Sequence, residues 1–101
     1  MKLKPLTDTG RLIGYVFFCP GCEHVHVFYV SGQVTWSFTG DEEQPTFSPS
    51  LLNTSPDHPD PKQRRCHLNL TFGKLQFHPD CSHALAGKLV DLPEWPWEGG
   101  P

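Results

Sequence analysis

"RLIGYVFFCPGCEHVHVFYV", residues 11–30, decides how this chain folds. Two apolar runs, rich in β-branched and aromatic residues, flank Cys19-Pro20-Gly21-Cys22. Such runs favour strands, and a Pro-Gly pair between them favours a turn. The reading is a β-hairpin with two cysteines at its tip. Two thiols two residues apart can grip one metal ion, and Gly21 permits the left-handed geometry that lets backbone amides approach the sulfurs. A CxxC can also be a redox pair, but that chemistry wants a helix starting at the first cysteine. Here strand-like sequence follows, so the tip reads as half of a metal site.

The other half lies downstream. "CHLNLTF" alternates, Gly73 breaks it, and "KLQF" resumes, so residues 66–77 read as a second hairpin turning near Gly73. Its open end brings Cys66 close to Cys81. Cys19, Cys22, Cys66 and Cys81 then make a closed tetrahedral zinc site, structural in kind, with His83 as the alternative ligand. His67 cannot easily share the ion with Cys66, because strand neighbours point to opposite faces. His24 and His26 lie on one strand face and could also bind metal, though exposed strand histidines are commoner, and His58 and His78 read as surface residues.

Between the hairpins, "VTWSF" reads as a strand with Val34, Trp36 and Phe38 on one face. "PTFSPSLL" is extended, its prolines placing it at an edge or a bulge. Residues 53–65 hold three prolines and no large apolar side chain, which predicts a long, mobile surface loop. Residues 82–86 suggest one helical turn capped by Asp80 or Ser82 and ended by Gly87. Residues 88–92 are a last strand, and 93–101 a Pro-rich tail whose Trp95 and Trp97 cover the core or meet a partner. The expected fold is mostly β: a small zinc-stapled antiparallel sheet with hairpins, one short helical turn and a Pro/Trp-rich tail.

With 101 residues and 37% hydrophobic content the chain reads as one domain, 1–101, with an adequate but thin core that a metal would help hold. No apolar run approaches the ~20 residues of a membrane span, and the first ten lack a secretory core. These features predict a cytoplasmic protein with no membrane partner. In a reducing compartment four cysteines point to metal rather than disulfides. The net charge is −3 and no basic stripe is present, which argues against nucleic acid as a partner.

"TWSFTGDEEQPTFSPSLL", "CHLNLTFGKLQF" and "DCSHALAGKLVDLPEW" together resemble a small phage and prophage family of unknown function, often mislabelled as ammonia monooxygenase. The likeness runs from Phe18 to Trp95. One departure is Phe72-Gly73, where the family usually has Asp-Gly. A remoter branch, beside bacterial ubiquitin-like conjugation genes, shares the CxxC tip, the Trp strand, a Pro-Ser and a histidine at the position of His67. It looks like a peptidase or deconjugase and lacks the "DCSH" segment. Carried over, that resemblance implies Ser50 as nucleophile and His67 as general base.

Two functions follow. The first is a zinc-stabilised phage protein acting as an interaction module on a host protein, with Trp95, Trp97 and residues 53–65 as contacts. The alternative is a small Ser-His peptidase or deconjugase acting on a ubiquitin-like or peptide substrate. Asp41 and Asp80 both stand as candidates for its third member. A third reading, catalytic zinc with Glu23 or Asp80 as base, needs an open coordination position.

Overall fold

The computed structural model, which describes residues 1–97, divides its strands between two antiparallel sheets. The first holds β1 (Lys4–Asp8), β2 (Arg11–Cys19) and β3 (His24–Tyr29), in that order. The second runs β4 (Ser37–Thr39), β5 (Thr46–Thr54), β6 (Arg65–Thr71), β7 (Lys74–Phe77) and β8 (Leu89–Asp91). The β-rich fold expected from the sequence is therefore present, but as two sheets. Among the described residues no helix is long and apolar enough to cross a membrane.

The sheets meet through aromatic rings. Phe28 of β3 lies face to face with Phe47 of β5, centroids 4.3 Å apart and 3° from parallel. Phe17 stacks on Phe28 at 5.3 Å and Phe38 on Phe47 at 5.0 Å, so the rings continue across both sheets. Leu68, Leu70, Leu75 and Phe77 are fully buried beside them. Aromatic pairs add a geometric preference to their burial, which matters in a core this small.

Both expected hairpins form. β2 and β3 pair from Gly14↔Tyr29 to Cys19↔His24, which leaves the CxxC at the tip. β6 and β7 pair up to Thr71↔Lys74, with Phe72 (φ 48°) and Gly73 (φ 74°) as a two-residue turn in left-handed conformation. A third hairpin, β1–β2, was not read from the sequence. It turns through Thr9 and Gly10, again both left-handed, and Trp95 donates its backbone N–H to the Met1 carbonyl beside it.

Several local expectations need correction. Of residues 34–38 only the last two are strand, and Val34 is 72% exposed. The helical turn expected at 82–86 is absent. Ser82 instead gives its backbone N–H to the Arg65 carbonyl and accepts the Arg65 N–H on its hydroxyl, which docks the segment on β6. The helical turn present is the 3-10 segment Pro61–Gln63, with Asp60 accepting the Lys62 N–H as N-cap. It lies inside the stretch expected to be a loop, where β5 extends to Thr54 and Ser55 bonds Arg64 across the ends. In the tail, Trp97 meets Phe18 at 5.6 Å and Trp95 at 5.1 Å; residues 98–101 of the expected tail lie outside the described part.

The β6–β7 turn yields a prediction. Phe72 is 72% exposed and holds a left-handed φ, which costs a bulky L-residue energy that no packing offsets. Phe72→Asn should stabilise the protein by roughly 0.5–1 kcal/mol in urea denaturation. Phe47→Ala, by contrast, should cost about 3–5 kcal/mol.

Candidate functional site

The candidate site is built on both faces of β6. Burial alternates along this strand, with Cys66, Leu68 and Leu70 buried and His67 and Asn69 half-exposed. A strand places neighbours on opposite faces, so Cys66 enters the interior while His67 stands on the outer surface.

On the outer face, His67 lies between a hydroxyl and a carboxylate. Ser50 Oγ is 3.3 Å from His67 Nε2. Both Asp80 oxygens are 3.3 Å from His67 Nδ1. With the proton on Nδ1 facing Asp80, Nε2 keeps its lone pair for the Ser50 O–H. Ser50 reaches this place through a bulge. Between the Phe47↔Leu70 and Leu51↔Leu68 pairs, four steps of β5 span two of β6. The bulge contains the cis Ser48–Pro49 peptide and is held from the other side by Trp36, whose indole N–H donates to the Ser50 carbonyl at 3.2 Å.

His67 is gripped on every side. Its backbone N–H donates to Cys81 Sγ at 3.3 Å, and its carbonyl accepts the Cys81 thiol at 3.2 Å and the His78 N–H at 2.9 Å. The His78 ring stacks on the His67 ring, centroids 3.9 Å apart and 11° from parallel. Arg65 binds Asp80 Oδ2 through Nε at 2.8 Å and NH2 at 2.7 Å. That guanidinium holds the Asp80 carboxyl below the usual carboxylate range. The imidazole remains 25% exposed and Asp80 40%, so solvent and a substrate can reach both. Of the two candidate acids, Asp41 is elsewhere: its Oδ1 accepts the backbone N–H groups of Glu43 and Gln44 and closes a turn.

On the inner face, Cys66 meets the tip of the β2–β3 hairpin. The ligand atoms of Cys19, Cys22, His26 and Cys66 all lie within 4.8 Å of one another and could bind a metal ion. Cys19 Sγ and Cys66 Sγ are 3.9 Å apart. All four cysteines are free thiols, and packing three together has an electrostatic result. Hydrogen bonds from Cys22 and Cys66 pull the Cys19 thiol far below its ordinary value. The same contact with Cys19 pushes Cys22 up to about 12, and contacts with Cys19 and Cys22 push Cys66 up as well. A bound dication would remove this conflict, since it stabilises every thiolate at once.

His26 provides an independent sign. Its Nε2 is buried without any hydrogen-bond partner, while Nδ1 is 2.8 Å from the Asn53 side-chain amide. Turning that amide over lets Oδ1 accept the Nδ1 proton and leaves the Nε2 lone pair for a metal, the usual outer support of a histidine ligand.

The expected fourth cysteine stands apart. Cys81 joins Cys66 and His83 in a second trio that shares only Cys66 with the first, and its thiol is occupied with the His67 backbone. His83, the alternative, approaches Cys66 with Nε2 at 3.5 Å but is likewise outside the four. Gly21 also serves differently from expectation. Its φ is not left-handed; Glu23 takes that conformation at 56°. A Cβ on Gly21 would lie 2.2 Å from the His83 ring, so glycine is required for the close approach. The sequence reading ranked His26 below the cysteines and missed Asn53 and Arg65. His26 shares a strand face with the buried Phe28, and that parity was the available signal.

A protein-family model described as bacterial ubiquitination-like system serine protease (BubE) matches residues 5–78. The matched stretch contains Ser50 and His67 and all of Cys19, Cys22, His26 and Cys66; Asp80, Cys81 and His83 lie beyond its end. No curated protein and no solved structure matches the chain.

The inner cluster predicts one metal ion per chain by elemental analysis. His26→Ala should lose most of it, because a single histidine completes the four. Cys81→Ser should retain it with unchanged stoichiometry. Retention by the first variant and loss by the second would move the site to the Cys66–Cys81–His83 trio.

Proposed function

We propose that this chain, which belongs to the BubE family of bacterial ubiquitination-like system serine proteases, hydrolyses a carboxyl-linked bond through Ser50, His67 and Asp80. The observation that carries the proposal is the chain of contacts Asp80–His67–Ser50, with the hydroxyl on Nε2 and the carboxylate on Nδ1. Ser50 Oγ attacks the substrate carbonyl carbon while its proton passes to His67 Nε2. The tetrahedral intermediate collapses and expels an amine or alcohol, which takes that proton. Water then adds to the acyl-serine with the same base, releasing a carboxylic acid and restoring Ser50. Asp80 keeps the imidazole in the required tautomer and offsets the charge it acquires. The family's description, a serine protease of a bacterial ubiquitination-like system, supports a ubiquitin-like protein or its conjugates as substrate class.

The metal is proposed to be zinc, held by Cys19, Cys22, Cys66 and His26. Three thiolates and an imidazole suit a tetrahedral d¹⁰ ion, and four protein ligands leave no position for substrate water. Its contribution is structural: it would tie the β2–β3 tip to β6 and so hold His67 in register. That leaves the reading of zinc as the catalytic centre without an open position. The interaction-module reading rests on Trp97, which meets Phe18 and Trp95 yet stays 53% exposed, while Trp95 is covered by Lys4.

Ser50→Ala should abolish hydrolysis while leaving metal content and melting temperature unchanged. Asp80→Asn should lower kcat by on the order of 10³–10⁴ through the wrong tautomer. The pH profile gives a further test. Arg65 depresses the Asp80 pKa, so Asp80 stays ionised as pH falls, and what it contributes is lost only below the ordinary carboxylate range. Arg65→Gln should therefore move acid unfolding to higher pH. An acid transition that does not move would mean that Arg65 does not keep Asp80 ionised.

A further inference from the structure

The strand that carries Ser50 has an open edge. β4 pairs with β5 only from Ser37↔Ser48 to Thr39↔Thr46, so β5 beyond Ser48 has no neighbour on the side away from β6 among the described residues. Antiparallel ladders alternate the direction of their backbone groups. Ser55 gives its N–H to the Arg64 carbonyl, in register with the Leu51–Thr54 pairs, so Asn53 and Leu51 face β6. Leu52 and Thr54 thus direct their N–H and C=O groups outward, and both residues are exposed. The Ser50 carbonyl points outward too and is taken by the Trp36 indole.

A second open edge faces this one. β3 borders its sheet, and the Val30 N–H bond to Ile13 fixes the alternation so that Val25 and Val27 turn their backbone groups away from β2. A cleft of about 440 Å³ lies between, with Val25 and Val27 on one wall and Asn53, Thr54 and Ser55 on the other, and with Cys22, His26 and Cys66 of the inner cluster also lining it. That volume is within the range of ligand sites. Two strand edges with unused backbone groups flanking one cleft match an extended polypeptide, which alone carries donors and acceptors at strand spacing on both sides.

We infer that the open β5 edge bordering this cleft takes the substrate as an added β-strand antiparallel to β5, on the line of β4. The inference rests on the proposed hydrolysis at Ser50. β5 runs from Ser50 towards Thr54, so an antiparallel strand runs from Thr54 towards Ser50 and delivers its carboxyl side to the nucleophile. The Trp36 indole on the Ser50 carbonyl ends the open edge there, which stops the added strand at the reacting carbonyl. The substrate class is accordingly an extended, unfolded tail on the acyl side of the cleaved bond, recognised by its main chain.

The test uses the wild-type, metal-loaded protein and diphenyl phosphonates carrying one, two or four alanines, with Ser50 modification followed by mass spectrometry. Inactivation should accelerate about tenfold or more from one alanine to four, as edge hydrogen bonds accumulate. N-methylation of the tetra-alanyl probe should cancel that gain at alternate residues and leave it at those between. In the adduct, the amides of Leu52 and Thr54 should gain protection from hydrogen exchange. Ser50 labelling that ignores probe length, or N-methyl effects without alternation, would overturn the strand-addition inference while leaving the hydrolase reading intact. Failure of every probe to label Ser50 would overturn the hydrolase reading on which it rests.

Discussion

The structure depends on the pleat of β6 between Cys66 and His67. Adjacent strand residues point to opposite faces, so one peptide unit separates a thiol in the interior from an imidazole on the surface. Whatever holds Cys66 also holds His67. A metal bound by Cys19, Cys22, Cys66 and His26 would fasten the tip of one sheet to the central strand of the other, on the order of 10 kcal/mol of folding free energy in structural zinc sites. In a chain of 101 residues that is as large as the whole net stability of an ordinary domain. The outer site and the inner cluster are two faces of one constraint.

The outer site is made rigid by backbone contacts more than by charge. Cys81 occupies both the N–H and the carbonyl of His67, while His78 covers one side of its ring. Arg65 fixes Asp80 with two short contacts, and both residues are substantially exposed. An exposed ion pair contributes little stability. Its consequence here is positional: it aims the carboxylate at His67 Nδ1 and keeps it charged. Cys81, expected from its residue type to hold metal, thus serves the histidine across the strand.

The two open edges are where the proposed substrate strand would join this geometry. β4 is short, the β5 bulge moves Ser50 out of the regular ladder, and Trp36 seals the edge at that point. Unpaired edges are a liability that proteins ordinarily cover. Here they border a cleft that reaches β5 at Asn53, Thr54 and Ser55, and the exposed Leu52 lies across from His67 in the ladder.

Much of this was legible in the chain. Period-two alternation and Gly-containing turns gave β2–β3 and β6–β7, and the CxxC tip with Cys66 gave three of the four residues that cluster, because these signals are local. Ser50 and His67 came through resemblance, and Asp80 stood as one of two acids. β1 was missed because Pro5 weakens its strand signal, and its place follows from packing beside β2. Other features depended on how the two sheets meet. His26 rather than Cys81 lies within 4.8 Å of all of Cys19, Cys22 and Cys66, since the β2–β3 tip is pressed against Cys66 while Cys81 turns to the His67 backbone. Asp80 rather than Asp41 faces His67, since Ser82 docks that segment onto Arg65. Residue type and spacing determine which side chains are able to ligate or to relay a proton. Which of several equivalent candidates does so is decided by contacts between segments far apart in sequence, and the pleat and register of β6 settle those only once the sheets are packed.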